Sequence, residues 1–153
     1  MSIKEKLSEL GLSLPTAAAP VAAYVPAVKS GNLVFTAGQL PVADGKLLKE
    51  GKVGRDVTAE DAKELAQICA LNALAAISLV ANLDQIERVV RVGGFVNCAP
   101  GFTAIPGVIN GASEFLIKIF GDVNGKHART AVGVAELPLN APVEVEVIVQ
   151  LKD

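Results

Sequence analysis

The stretch His127-Ala128-Arg129-Thr130-Ala131-Val132-Gly133-Val134-Ala135-Glu136-Leu137-Pro138-Leu139-Asn140-Ala141-Pro142-Val143-Glu144-Val145-Glu146-Val147-Ile148-Val149-Gln150-Leu151 decides the architecture of this chain. From Val143 to Leu151 every odd position is apolar, while Glu144, Glu146, Ile148 and Gln150 point the other way, the period-two pattern of a half-buried strand. Glu144 and Glu146 therefore share a face. The run from Ala131 to Leu137 is β-prone with weaker alternation, and Pro138 and Pro142, which cannot donate to a ladder, bracket a reversal. Two strands joined by a short turn are expected. With Arg129 ahead of the first strand and Glu144 opening the second, eight residues at ~3.3 Å each set the two side chains roughly 26 Å apart in one subunit. If both serve one small substrate, a partner subunit has to supply one of them.

The chain has 153 residues, a length that fits one domain burying about 68–70% of its unfolded surface. Apolar residues make up 51% and aromatics 4%, with no Trp, so the core is built from Val, Leu, Ile and Ala. That favours packed sheet and helix over an aromatic-lined ligand barrel. A net charge of −2 and a pI near 5.4 supply no general attraction for a phosphate backbone, and no basic stripe offsets them, so nucleic-acid binding is disfavoured. Cys69 and Cys98 come without CxxC or a His-rich tract, which leaves neither a disulfide framework nor a metal site. A reducing cytoplasm is the expected compartment. Lys4, Glu5, Lys6 and Glu9 in the first turns exclude a secretory signal there, and no Gly-rich phosphate cradle is present.

Ser2 caps a short helix carrying Ile3, Leu7 and Leu10 on one face, closed by Gly11, so residues 1–12 read as a helical extension of a single domain spanning 1–153. Leu14 to Val25, with Pro15, Pro20 and an Ala-rich run, reads as an extended surface segment that ends at Tyr24. Val25–Val28 and Leu33–Ala37 form a hairpin around Gly31-Asn32, and a brief strand at Lys46–Lys49 follows the Asp44-Gly45 turn. Thr58 caps the long helix, whose apolar residues include Leu65, Ile68, Cys69, Ala75, Ala76, Leu79 and Val80. No charge occurs from Leu65 to Leu83, a length near the ~20 residues that span a bilayer. Gln67, Asn72, Ser78 and Asn82 interrupt the run and no aromatic or basic flank anchors it, which favours a helix covering a sheet. Ile86 to Val96 is a strand with a bend at Gly93-Gly94. A second helix runs from Pro106-Gly107 to about Phe120. Strand pair, helix, strand, helix, strand pair is an α+β order, and right-handed crossovers put both helices on one face of the sheet.

Arg129 offers planar, bidentate hydrogen bonding suited to a carboxylate; its alternative is a surface salt bridge. Glu144 could position or activate a water, although alternating Val and Glu is more often a solvated strand face. His127, the only histidine, lacks a recognisable nucleophile motif beside it, which favours a structural or capping role. Cys98 sits in a Pro/Gly-rich loop without a nucleophile signature. Asn110 is either a local hydrogen-bonding residue or a ligand contact. Gly38 is either a bulge or an approach to a ligand.

Ala37-Gly38-Gln39-Leu40-Pro41, together with Ala128-Arg129-Thr130-Ala131-Val-Gly-Val-Ala-Glu-Leu137-Pro138 and Val143-Glu144-Val145-Glu146, resembles the YjgF/RidA family of enamine/imine deaminases, many of which carry the names L-PSP endoribonuclease or translation inhibitor. The resemblance runs from about Pro20 to the C-terminus. It implies a chorismate-mutase-like α+β fold, with two main helices on one face of a mixed sheet, and a homotrimer with clefts between subunits. The implied reaction hydrolyses 2-aminoacrylate-type enamines, or their imine tautomers, to 2-keto acids and ammonia. The substrate is a small carboxylate that arrives activated, so neither cofactor nor metal is implied. Position by position, the resemblance makes Arg129 the carboxylate-binding arginine and Glu144 the glutamate that orients the hydrolytic water. Tyr24, Gly38 and Asn110 become cleft positions, with backbone groups near Gly38 and Ala131 orienting the nitrogen end. Many deaminases of the family have a cysteine two residues after the arginine; Ala131 stands there, which excludes a thiol-dependent mechanism. The N-terminal helix and the loop from Gly93 to Phe102 resemble a longer subgroup, and Gly-Ala-Ser-Glu-Phe after Asn110 replaces a more aromatic pattern, which leaves the substrate open. The alternatives are a non-catalytic 2-keto-acid-binding or regulatory trimer and an endoribonuclease, the latter disfavoured by the acidic pI.

Overall fold

Strand β7 (Val143–Leu151) is the spine of the sheet, with every odd position buried and every even one half-buried. A computed structural model of the protein describes residues 1–20 and 22–153, so the Val21 position of the extended N-terminal segment lies outside the described residues. The five-stranded sheet has the order β1 (Ala27–Ser30), β2 (Leu33–Thr36), β7, β5 (Ile86–Asn97), β6 (Ala128–Val134). The β1–β2 hairpin turns at Gly31-Asn32, as the small residues there predict. A second, two-stranded hairpin pairs β3 (Val42–Ala43) with β4 (Lys46–Leu47) around Asp44-Gly45.

One expectation is overturned. The last two strands are not neighbours: β5 lies between them, parallel to β6 and antiparallel to β7. The reason is the helix between β5 and β6, which returns the chain in the same direction and makes those two strands adjacent and parallel. β7 is left to pair on the other side of β5, so residues 135–142 cross the end of β5 instead of turning tightly. A second correction concerns Gly93 and Gly94, which sit in regular register; the irregularities fall earlier, between Ile86 and Arg88 and between Val89 and Arg91. The glycines make room for neighbours. A Cβ on Gly93 would lie 2.8 Å from Glu146, and one on Gly94 would lie 2.6 Å from the Ile109 side chain.

Helices α2 (Ala59–Ile77) and α3 (Ile105–Asn124) pack against each other and against the face of the sheet that carries Val89, Val92, Val96 and the odd positions of β7. Thr58 accepts a hydrogen bond from Asp61 N–H at 3.1 Å, closing the predicted cap of α2. The uncharged run is explained by burial of α2 residues from Cys69 to Ile77, and no described helix is long and apolar enough to cross a membrane. Gly121, at φ 86°, breaks α3 next to the predicted end at Phe120. The two helices meet where Gly111 faces Lys63, so closely that a Cβ there would lie 1.8 Å from the Lys63 carbonyl oxygen. Helix α1 (Ile3–Glu9) has the predicted capping box between Ser2 and Glu5. Ile3 and Leu7 are buried in the common core, Ile3 N–H donates to Asp84 at 2.8 Å, and Lys6 Nζ donates to the Ile119 carbonyl at 2.8 Å.

Candidate active site

Arg129 lies inside β6, one residue after its start, and not ahead of it. It pairs with Val92 of β5 and so points toward the helices. Asn110 and Ser113, spaced i, i+3, share one face of α3 and meet it there. Arg129 Nη1 donates to Asn110 Oδ1 at 2.8 Å and to Ser113 Oγ at 3.2 Å, and Nη2 donates to the Pro106 carbonyl at 3.4 Å. A guanidinium has five N–H donors, so these three acceptors leave at least two free. A hollow of about 200 Å³ opens beside it, lined by Ser113, Ile117, Lys126, His127 and Arg129. Ala131, two residues along β6, is on the same face and packs against the core.

Glu144 belongs to a different neighbourhood. The β2–β7 ladder runs to Phe35 opposite Ile148; the Thr36 hydroxyl then accepts Val147 N–H at 3.0 Å, and pairing resumes between Gln39 and Val145. That interruption carries Gly38 directly over Glu144, where a Cβ would lie 2.1 Å from the carboxylate oxygen. Gly38 therefore makes room for the Glu144 side chain at the interruption of the ladder. Gly38 and Tyr24, which is 48% exposed, line a cavity of about 290 Å³ together with Pro26, Leu40, Val42 and Leu139. Leu139 and Asn140 both have left-handed backbones, at φ 57° and 58°. The buried Asn97 side chain holds this crossing by donating to Asn140 Oδ1 and to the Ala141 carbonyl, both at 3.2 Å, while accepting from Lys52 Nζ at 2.7 Å.

Burial raises the pKa of Glu144, and repulsion from Glu146 adds to it. A carboxyl whose pKa is raised by folding stabilises the fold most below its ordinary value of 4.5, and that stability is lost as pH rises through the folded value. Glu144→Gln is therefore expected to raise the thermal midpoint at pH 7, with the advantage over wild type vanishing below pH 4.5. Equal midpoints at both pH values would contradict it.

The six expected site residues thus form two groups. Arg129, Asn110 and Ala131 lie on the helix face, whereas Glu144 lies on the opposite face with Gly38 against it, and Tyr24 shares with Gly38 a cavity that also reaches Asn72 of α2. Arg129 is level with Val92 and Glu144 with Phe95, three rungs along β5, so the two are roughly 14 Å apart by strand spacing and rise. The 26 Å expectation is too large because β6 stops at Val134 and its register beside β5 brings Val132 level with Glu144. The obstacle is the sheet itself, since residues three apart on a strand face opposite sides.

Ser113 is a site residue that sequence reasoning passed over, although its spacing from Asn110 is a usable signal. His127 is part of the same group: Nε2 is 2.9 Å from Ser113 Oγ and Nδ1 is 2.6 Å from the Gly125 carbonyl. The second contact agrees with the capping role expected of it. Cys98 is half-buried and its thiol pKa is pushed up by burial, the opposite of an activated nucleophile. Among the described residues no group of three or more His, Cys, Asp or Glu could hold a metal ion.

The sequence profile of the family described as "YjgF/chorismate mutase-like, putative endoribonuclease" matches residues 4–151. Protein TCP17 of Trypanosoma cruzi is 40% identical over 152 residues, covering 99% of this chain and 95% of the relative. A 2-iminobutanoate/2-iminopropanoate deaminase of Dermatophagoides farinae is 32% identical over 141 residues, covering 92% of this chain and 95% of the relative. Among solved structures, the protein Atu1372 of unknown function from Agrobacterium tumefaciens superposes with a TM-score of 0.88 at 43% identity, covering 98% of this chain and 92% of that one.

Proposed function

Because this chain belongs to the YjgF/RidA family, we propose that it is an enamine/imine deaminase that hydrolyses 2-aminoacrylate-type intermediates to 2-keto acids and ammonia. The observation that carries this reading is the guanidinium of Arg129, held on three sides by α3 with at least two N–H groups free beside an open hollow. A planar pair of free donors suits a carboxylate. Glu144, with its pKa raised, is a competent acceptor for a proton from water. Water adds to the imine carbon while Glu144 takes one of its protons and passes it to the imine nitrogen, giving a carbinolamine; the hydroxyl proton then passes by way of Glu144 to the same nitrogen, which leaves as ammonia as the C=O bond forms.

The homotrimer that the family resemblance implies is supported by the uncovered face of the sheet. Val28, Phe35 and Val132, each about 40–50% exposed, and the half-buried Ile148 lie with Glu144 on the uncovered face of the sheet. Stacking of that face against other copies would bring the Arg129 group of one subunit to the Glu144 group of its neighbour.

The test is pyruvate release from freshly generated 2-aminoacrylate. Wild type is expected to accelerate it. Gly38→Ala is expected to lose most of that acceleration while melting close to wild type, because the new methyl meets the flexible end of Glu144 and not backbone. A wild-type rate equal to the uncatalysed rate would reject the deaminase. Saturable binding of a 2-keto acid without turnover would favour a non-catalytic binding protein in its place.

A further inference from the structure

Behind the free edge of Arg129 lies a chain of hydrogen bonds that the proposed reaction does not use: Arg129 Nη1 to Ser113 Oγ, Ser113 Oγ to His127 Nε2, and His127 Nδ1 to the Gly125 carbonyl. Each link dictates the next. The Gly125 carbonyl can only accept, so at 2.6 Å the Nδ1 atom must carry the proton. In the neutral ring, Nε2 is then an acceptor. Burial, and the positive charge of Arg129, lower the His127 pKa and keep the ring neutral at pH 7, while the Gly125 bond acts against them. Facing a lone pair on Nε2, the Ser113 hydroxyl donates to it and presents its own lone pairs to Arg129. Without an acceptor at Nε2 the hydroxyl is free to turn its hydrogen toward Nη1, where two donors would oppose each other. Ser113 is 9% exposed, at the inner edge of the hollow.

We propose that His127 is a positioning residue which, acting through Ser113, fixes the rotation of the Arg129 guanidinium and thereby selects the edge it presents to a ligand carboxylate. The proposal deepens the deaminase reading and rests on it only for the identity of the ligand. The orienting function explains why the chain's one histidine lies two residues before the arginine. Both side chains leave β6 and its approach on the same side and straddle Ser113 of α3.

Two readouts separate this proposal from the function it serves. The first needs no ligand. With nitrogen-15 labelling, NMR is expected to find His127 in the Nδ1–H tautomer and rotation of the Arg129 guanidinium slow in wild type. Rotation should be faster than wild type in His127→Leu and in Ser113→Ala, where only the Asn110 and Pro106 bonds remain, and slow again in His127→Gln, whose amide oxygen reaches the place of Nε2. The second readout is titration with 2-ketobutyrate. Dissociation constants about tenfold weaker are expected for His127→Leu and Ser113→Ala, the loss of one hydrogen bond. His127→Gln should stay within about twofold of wild type, and the Ser113→Ala/His127→Leu double variant should be no weaker than either single one. Fast guanidinium rotation in wild type, an Nε2–H tautomer, a Gln variant as free as the Leu variant, or additive losses would each overturn the proposal. Failure of wild type to bind 2-ketobutyrate would reject the carboxylate ligand alone, with the rotation measurement still deciding the role of His127.

Discussion

Chains carrying Arg129→Ala and chains carrying Glu144→Gln, each inactive alone, will regain about a quarter of wild-type deaminase activity when unfolded together in equal amounts and refolded. In a cyclic assembly whose sites take Arg129 from one subunit and Glu144 from the next, random mixing makes both intact at roughly one site in four. The single variants should each lose on the order of a hundredfold or more in kcat/KM, since removing one partner of a desolvated charge pair costs about 2–5 kcal/mol. The basis is the register of β5, which places the two residues on opposite faces of one sheet. A mixture as inactive as its components would mean that the two groups act within one chain, or that one of them is not part of the site.

Gly111→Ala will destabilise the protein by about 3 kcal/mol or more, the upper end of what overpacking a core costs. The added methyl would lie 1.8 Å from the Lys63 carbonyl oxygen and 2.8 Å from its carbon, and both atoms belong to the backbone of α2. Neither can swing aside as a side-chain tip can. The helices must separate, and Phe115, Leu116 and Ile109, all buried in the shared core, lose contacts with them. Urea unfolding measures the effect, and the substitution also favours helix intrinsically, so the whole loss belongs to packing. A midpoint within experimental scatter of wild type would show that α3 shifts at no cost. Gly38→Ala is the contrast, because the atom it meets is the free end of Glu144.

Much of this was legible in the chain. Local signals carry local structure: Ser2 and Thr58 as caps, Gly31-Asn32 and Asp44-Gly45 as turns, and the strict alternation from Val143 to Leu151 all describe neighbours within a few residues, where backbone sterics and burial act directly. The motif around Arg129 likewise pointed to carboxylate chemistry, and the profile match over residues 4–151 agrees with the family that the motif suggested.

The insertion of β5 between the last two strands was not legible, because the alternation of a strand says which face is buried and nothing about which strand lies beside it. From that one pairing came the corrected 14 Å separation and the placement of Arg129 and Glu144 on opposite faces. The glycines were visible as glycines, but only the fold supplied what each makes room for: a carboxylate at Gly38 and Gly93, an isoleucine at Gly94, a helix backbone at Gly111. Ser113 and His127 are fourteen residues apart in sequence and become partners because α3 and β6 lie side by side. By itself the sequence located most of the elements and the buried face of β7, while Leu79 and Val80, read as part of the long helix's apolar face, lie beyond its end at Ile77 and are exposed, and the strand read from Ala131 to Leu137 runs from Ala128 to Val134. The tertiary structure alone decided which residues meet, since contacts across a sheet or between helices depend on the order in which elements pack, a property no short stretch of chain contains.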